Sequence, residues 1–580
     1  MNQSAKGSDQ AHPSEVIYQV YPSSFNDANA DGHGDIPGIT QKLDYIKSLG
    51  VDSIWISPMY LSPPGPDGDG GYAVSDYRQI DPRYGTMQDF KDLLKEAHAR
   101  GLRVYTDWVV AHTANDHEWF EKSQKNDPKY KDYYVWADPK EWNGQDAPPN
   151  NWKSVFGGPA WTYDQDRKQY YLHHFLKSQP ALNLNKREVQ DAVLDEMKFW
   201  LDMGVDGFRI DALPFATCDE KLRDNSWLYG TWPNVNEAWD QQRFDHSIIQ
   251  PETVAFIGRI RELMDSYPEK KTTIGEATAG VEGGRNPLPV ASRYTDAKKG
   301  LDMSYTWIVN ELSPQTGPYG VAEIIRTIEK FFPDGGHCLS IGCHDIPRTF
   351  SRIAASVPPA QQLAAQKMMM KLFFTLPGSV ILYQGEELAL DQARIPQDIP
   401  IDKLKDPTAQ TQGLGAVRDG SRTPMPWDST KPNAGFSPSN DPYLPVPASH
   451  VKKAVDLQEK DPNSMLNFVR DLIAWRKQQP ALENSKATIL RESGPLLAYL
   501  RKNDKQTLLC AFNMSGQSTS FKPEDLLDDN TIKELGLTKG QTVTLGAYGS
   551  FLKGEPPQRQ TAAPSPKPPP KNPPVIRKAS

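Results

Sequence analysis

Eight short apolar runs, separated by longer amphipathic segments, constrain this chain more than any other feature. They are VIYQVYPSSF (16–25), VDSIWISPM (51–59), GLRVYTDWVV (101–110), GVDGFRIDAL (204–213), TTIGEA (272–277), LDMSYTW (301–307), CLSIGCHD (338–345) and GSVILYQGEEL (378–388). Such runs suit strands buried on both faces. Between several of them apolar residues recur at helical spacing, as at Ile39, Leu43, Ile46 and Leu49. The segments MQDFKDLLKEAHARG and VQDAVLDEMKFWLDMG both end at a glycine stop. Eight alternations of this kind predict an α/β fold, a parallel (β/α)8 barrel over 14–111 and 183–480. A doubly wound sheet is the competing architecture.

Several segments break the rhythm. Residues 112–182 are rich in Trp, Tyr, Asp, Asn and Pro and too long for a plain connection, so they predict a small domain inserted after the third strand. Residues 389–445 predict an irregular insertion after the eighth. Beyond 480, LLAYLRK, TLLCAFNM, STSFK and QTVTLGAYGSFL predict a C-terminal antiparallel β-sandwich domain over 481–555. The first 13 residues predict a flexible start, and the Pro-rich, basic 556–580 a disordered tail.

Composition narrows the function classes. A formal net charge of −8 gives no electrostatic case for nucleic acid as a partner. Cys218, Cys338, Cys343 and Cys510 are scattered, with no metal-type spacing, which fits a reducing, cytoplasmic setting. The stretch MNQSAKGSDQAHPSE carries no apolar run of a secretory signal, and no segment approaches the ~18 apolar residues of a membrane span.

The chemistry should lie at the carboxyl ends of the barrel strands. There the sequence places Asp107 and His112 (third strand), Arg209 and Asp211 (fourth), Glu276 (fifth), and His344, Asp345 and Arg348 (seventh). One such acid is an ordinary helix cap; Asp211, Glu276 and Asp345 on three converging strands, with two histidines and an arginine, suit glycoside hydrolysis by paired carboxylates. Arg209 and Asp211 lie two apart, hence on one face, and the cation favours an ionised Asp211 as nucleophile. Glu276, between Ile274 and Ala277, has no cation beside it in sequence, and burial there favours the protonated form a general acid needs. Asp345 is the third carboxylate, suited to hold hydroxyls or the oxocarbenium-like transition state. Separately, DANADGHGD offers Asp27, Asn29, Asp31 and Asp35 as alternating oxygen ligands for a hard cation; a solvated turn is the plainer alternative.

These segments resemble the ordered signatures of the α-amylase family, glycoside hydrolase family 13: DWVVAH, GFRIDA, IGEA and CHD in turn. QVYPSSFNDANADGHGDIPG, LHHFLKSQP, LYQGEELAL and RDGSRTPMPWD are similar to its oligo-1,6-glucosidase and α-glucosidase branch, and FATCDEKLRDN to bacterial α-glucosidases. The resemblance, over about residues 14–555, implies Asp211 as nucleophile, Glu276 as acid/base and Asp345 as transition-state stabiliser. It implies Tyr72 as the stacking platform under the cleaved glucose, and Asp107, His112, Arg209, His344, Arg348 and Arg422 as further substrate contacts. It also implies Ca2+, or Mg2+, on Asp27, Asn29, Asp31, Asp35 and the carbonyl of His33.

Four positions depart from the family pattern. Ala73 stands where an Asp is expected to grip glucose and pair with Arg422; Asp76 is the expected partial substitute. Ala111, Ala181 and Cys343 replace an Asn, an Asp and an Asn and are expected to alter support of strand ends. The implied activity is a retaining, exo-acting α-glucosidase on small α-glucosides. Ala212, where related enzymes of α-1,6 preference carry Val, points to α-1,4 links. Glucosyl transfer is the alternative, as in trehalose synthases (which SPPGPDGDGGY also resembles) or sucrose isomerases. A sugar-binding homologue without catalysis is the third reading.

Overall fold

The computed structural model describes residues 14–228, 239–296, 299–310, 312–395, 399, 404–411, 413–483 and 485–553. The segments expected to be a flexible start and a Pro-rich tail lie outside the described residues.

All eight apolar runs supply strands of one closed parallel barrel. They are β1 (Val16–Val20), β2 (Ser53–Ile56), β3 (Arg103–Val109), β4 (Gly207–Asp211), β5 (Thr272–Glu276), β6 (Met303–Thr306), β7 (His337–Ser340) and β8 (Ser379–Tyr383). Each pairs with its neighbours in chain order, and β8 closes on β1 with Val16 beside Val380. Ile17, Trp55, Tyr105, Ile274, Met303, Tyr305, Cys338 and Ile381 fill the interior, side chains from seven of the eight strands. A filled barrel of this kind is a packed core, so any site must open at its rim.

Helices α1 (Leu43–Leu49), α2 (Met87–Ala99), α3 (Arg187–Met203), α4 (Glu252–Asp265), α5 (Leu288–Tyr294), α6 (Gly317–Phe331), α7 (Gln362–Thr375) and α8 (Met465–Arg476) follow the strands in order. Their starts and stops are local. Thr86 accepts from the N–H of Asp89 while Asp89 reaches back to Thr86, a capping box that opens α2. Gly204, at φ 112°, stops α3 in a left-handed turn that favours glycine and delivers the chain to β4. On α3, Val189, Val193, Met197, Trp200 and Leu201 form the buried stripe. Gly207 opens β4 because a Cβ there would lie 2.0 Å from the carbonyl oxygen of Thr272 on β5.

After β3 the chain leaves the barrel and builds a small antiparallel sheet of Trp136–Ala137, Gln169–Leu172 and Trp161–Asp164, packed with Trp152 and Leu172. It returns beside its own exit, where His112 bridges Ala181 and Tyr134 bridges Leu182. The chain after β8 makes short 3-10 turns at Leu414–Ala416, Arg418–Ser421 and Pro432–Gly435 rather than long elements.

Beyond the barrel, β9 (Lys486–Ser493), β10 (Leu496–Lys502), β11 (Thr507–Asn513) and β12 (Ser550–Leu552) form an antiparallel sheet in that order. A second sheet, of Thr519–Phe521 and Val543–Leu545, shares a core with it through Leu496, Leu509, Phe521 and Leu545. Buried Arg501 fastens this domain to the barrel, donating to the carbonyl of Thr375 at 2.6 Å. Among the described residues no helix is long and apolar enough to cross a membrane.

Candidate active site

Strand register assembles the first group of residues. Arg209 lies beside Asp107 of β3, and Asp211 and Glu276 are the last residues of adjacent strands, on the carboxyl rim. The buried guanidinium of Arg209 therefore meets three acids. Nη1 donates to Asp107 Oδ1 at 2.8 Å and to Asp211 Oδ1 at 2.6 Å, and Nη2 lies 2.8 Å from Glu276 Oε2. Tyr305 of β6 accepts from Nε and Nη2 of the same guanidinium at 3.0 and 2.5 Å. The Ala212 N–H, held at φ 44°, donates to Glu276 Oε2 at 3.0 Å. The sequence placed Arg209 beside Asp211 alone; the structure corrects this, because β4 and β5 are adjacent and the fork reaches across them.

Three carboxylates around one cation cannot all ionise cheaply out of water. Burial pushes Asp107 up to about 6, against Arg209. Burial also pushes Asp211 well above the ordinary carboxylate range, opposed by Arg209 and reinforced by Glu276 and Asp107. Asp107 and Asp211 share one nitrogen of Arg209, so protonation of either alters the other.

Tyr72 forms one wall. Its hydroxyl donates to Asp107 Oδ2 at 3.0 Å, and its ring lies parallel to His344, with centroids 5.4 Å apart. Its carbonyl, an acceptor only, lies 2.9 Å from His112 Nε2, which assigns the proton to that nitrogen and leaves Nδ1 without a partner among the described residues. Burial lowers His112 to about 4 and His344 to about 3, so both are neutral near pH 7.

Asp345, just beyond β7, is the centre of the second group. Its Oδ1 accepts from Arg418 Nη1 at 2.7 Å and Arg422 Nη2 at 3.1 Å, and its Oδ2 lies 3.2 Å from His344 Nε2. Burial opposes its charge, but His344, Arg418 and Arg422 outweigh burial and hold Asp345 well below the usual range.

These groups line or underlie a cavity of about 400 Å³. Its lining includes the polar Asp69, Tyr72, His112, Asp211, Glu276, Asp345 and Arg418 and the apolar Phe156, Phe175, Phe215, Trp239 and Trp307. Two expectations are corrected here. Arg348 does not line the cavity: its Nη1 donates to the carbonyl of Gln384 at 2.7 Å and its guanidinium lies over the Tyr383 ring, behind the strand ends. Nor is Asp76 a substitute at the sugar. It caps its own strand, accepting from the Arg78 N–H at 2.8 Å and Gln79 Nε2 at 2.6 Å. The acid that does enter the cavity is Asp69, three residues before Tyr72, paired with Arg418 at 3.0 Å. Arg422 instead meets Asp345 and the carbonyl of His344 at 3.0 Å, and its buried Nη1 has no hydrogen-bond partner among the described residues. Asp69 and Arg418 escaped the sequence reading, although Arg418 opens RDGSRTPMPWD; a Gly-rich segment with aspartates reads as a solvated turn.

The other departures sit at supports. Ala73 and Ala111 are buried, Ala181 bridges His112, and Cys343 Sγ accepts from the Asp345 N–H at 3.4 Å.

The loop of Asp27, Asn29, Asp31, His33 and Asp35 lies apart from these acids, against the segment after β8. Asp27 accepts from the N–H groups of Asn29, Ala30 and Gly32 and from Ser437 Oγ. Asp35 opens the next helical turn, accepting from the Gly38 N–H at 2.6 Å, and its Oδ2 shares the Asn29 N–H with Asp27. Asp31 accepts from the His33 N–H at 2.8 Å and from Asn29 Nδ2. Burial, with Asp27 as a lesser cause, raises Asp35. Among the described residues no three His, Cys, Asp or Glu side chains converge as a ready metal cage. The oxygen-only donor set, with two acids meeting at one N–H, nonetheless has the chemistry that a hard cation relieves.

A parallel barrel with paired carboxylates on a shared arginine at its rim, beside a pocket that they line, defines a class of barrel enzymes. The chain belongs to the alpha-amylase family, whose catalytic domain matches residues 19–485. It is 41% identical over 551 residues to a probable alpha-glucosidase of Rhizobium meliloti (strain 1021), covering 93% of this chain and 96% of that one. It is 34% identical to an oligo-1,6-glucosidase of Parageobacillus thermoglucosidasius, covering 88% and 91%. Among solved structures it resembles an alpha-glucosyl transfer enzyme, XgtA, with a TM-score of 0.81 and 39% identity, covering 93% and 98%.

Proposed function

We propose that this protein is a retaining, exo-acting α-glucosidase that removes terminal α-linked glucose from maltose, short oligosaccharides or related α-glucosides. The observation that carries the reading is the single Arg209 guanidinium holding both Asp211 and Glu276 at the cavity floor. Two acids sharing one guanidinium suit the ~5–5.5 Å separation of retaining enzymes better than the wider gap that leaves room for an attacking water. Asp211 has Oδ1 committed to Arg209, so Oδ2 attacks the anomeric carbon and forms the β-glucosyl-enzyme. The hydrogen bonds of Glu276 fall on Oε2, so Oε1 carries the proton to the departing oxygen. Arg209 favours the ionised form of Asp211 as its Oδ2 bonds to the anomeric carbon and the departing oxygen takes the proton from Glu276. Glu276 then takes a proton from water, which releases α-glucose. Asp345, held ionised, steadies the developing positive charge. Ala212, which lines the cavity, supports α-1,4 preference.

Likeness to an enzyme named for glucosyl transfer favours a second reading, in which another sugar hydroxyl takes the place of water at the same intermediate. Incubation with maltose, isomaltose, sucrose and trehalose separates the two. Net glucose, lost in Asp211→Asn, supports hydrolysis; rearranged disaccharide without net glucose supports transfer.

Asp27, Asn29, Asp31, Asp35 and the carbonyl of His33 would hold a structural Ca2+, with Mg2+ the weaker fit. The support is the oxygen donor set and its wrapping about one backbone N–H. The cytoplasm is the proposed setting, supported by four buried, unpaired thiols.

A further inference from the structure

A second cavity, of about 240 Å³, lies in the seam between the inserted domain and the barrel. The inserted domain lines it from 132–136 and 167–169, its return to the barrel from 183–186, at the start of α3, and the loop after β4 from 218–222. None of its lining residues lines the catalytic cavity. Its rim is fixed in place. Asn150 Nδ2 donates to the carbonyl of Leu222 at 3.1 Å, and Trp152 Nε1 to the carbonyl of Arg223 at 2.8 Å, so the loop after β4 is tied to the inserted domain.

The lining says what such a cavity can take. Asn185 Nδ2 donates to the carbonyl of Cys218 at 2.7 Å, which fixes the amide, because a carbonyl only accepts. The other end of that amide, Oδ1, is buried and has no partner among the described residues. A buried acceptor left unpaired is costly, and a ligand hydroxyl would relieve it. The charged lining is balanced: Arg167 and Lys186 against Asp132 and Glu220. It therefore sets up no strong field for an anion or a metal ion. Lys186 Nζ lies 3.9 Å from Glu220 Oε1, a loose pair that leaves both groups free to meet a ligand. Trp136 offers no open ring face. The Arg167 guanidinium lies 4.3 Å from its ring centre, and Phe120 stacks on it at 5.6 Å. Recognition there falls to hydrogen bonds, with acceptors on Asn185, Asp132 and Glu220 and donors on Lys186. That mixture suits an uncharged molecule carrying several hydroxyls, and the volume suits one hexose.

We propose that this cavity is a second sugar site, which takes one hexose such as glucose between the inserted domain and the barrel. The bound sugar would brace the inserted domain, which walls the catalytic cavity through Val155, Phe156 and Phe175, against the loop that follows the nucleophile's strand. The inference goes beyond the α-glucosidase reading and does not depend on it.

Equilibrium dialysis of labelled D-glucose against wild type and Asn185→Leu counts the sites, with thermal melts to show that each protein folds. Asn185→Leu should bind one glucose fewer per chain than wild type, and glucose should raise its Tm less. Glu220→Gln combined with Asp132→Asn, both on the exposed rim, should weaken that same glucose by about tenfold, the size of a lost charged hydrogen bond. This pair carries the comparison if Asn185→Leu does not fold. Equal numbers of bound glucose in wild type and folded Asn185→Leu overturn the proposal, as does unchanged affinity in the rim pair. Displacement of this glucose by glycerol at equal concentration also overturns it, since the cavity would then take any small polyol. A wild type that turns over no α-glucoside defeats the α-glucosidase reading, whereas one glucose fewer in Asn185→Leu upholds the second site in either case.

Discussion

Asp211, Glu276 and Ala212 carry the predictions that belong to single residues. Asp211→Asn keeps the shape and removes the nucleophile, so turnover of maltose should fall by ~10⁴-fold or more, measured as glucose release. Glu276→Gln removes acid assistance, normally worth ~10²–10⁴-fold. It should spare p-nitrophenyl α-glucoside relative to maltose, because a phenolate leaves without a proton; equal losses on both would remove Glu276 from the role. Ala212 sits at φ 44° beside the nucleophile and lines the cavity. Ala212→Val narrows that wall and should move the maltose-to-isomaltose ratio of kcat/KM by ~10-fold toward isomaltose. At this scale the sequence was legible where chemistry depends on a short local pattern. Arg209 and Asp211 share a face because they are two apart on a strand. Contacts set by tertiary closure were not legible. Nothing local to Asp69 shows that Arg418 meets it, and closeness in sequence to His344 and Asp345 put Arg348 in a cavity from which its side chain turns away.

Among elements, the loop of Asp27 to Asp35 makes the sharpest prediction. It is tied to the excursion after β8 by Ser437 Oγ on Asp27 and by the Asp27 N–H on the carbonyl of Phe436. A cation bound there would brace both segments. At a hundredfold excess over Kd, Ca2+ should stabilise by about 2.7 kcal/mol and raise Tm; chelation should reverse this, and Asp27→Ala should abolish the response. A Tm indifferent to both Ca2+ and chelator would remove the cation from the loop. Barrel strands were legible as elements because each is buried on both faces and so is apolar along its length. The 3-10 turns after β8 offer no such period, so the sequence marks that stretch only as irregular.

At the scale of the whole molecule, buried histidines set the response to acid. His112, His117, His173, His337, His344 and His450 are all nearly inaccessible, and burial lowers each to about 3 or 4 from 6.5. His174 is lowered to about 3 in the same way. Each folded-state value lies below the unfolded one, so this stability is present above about 6.5 and drains as pH falls toward the folded values. Acids shifted upward, Asp69, Asp107, Asp211, Glu386, Glu387 and Asp419 among them, act with the opposite sign and offset part of this, while Asp345 and Asp406, held below the usual range despite burial, act with the histidines. Tm by calorimetry should therefore fall steadily from pH 7 to pH 4.5, by roughly 1.4 kcal/mol of stability per pH unit for each proton taken up on unfolding. A Tm that rises toward pH 5 would contradict this account. The long excursion between β3 and α3 bears on the molecule differently. Since its ends meet at the His112–Ala181 bridge, it behaves as a cassette plugged into one socket. The barrel need not change length or register when the cassette does. Selection can rewrite the wall that Val155, Phe156 and Phe175 give the pocket while Asp211 and Glu276 stay fixed, so substrate range and catalytic chemistry can evolve on separate parts of one chain.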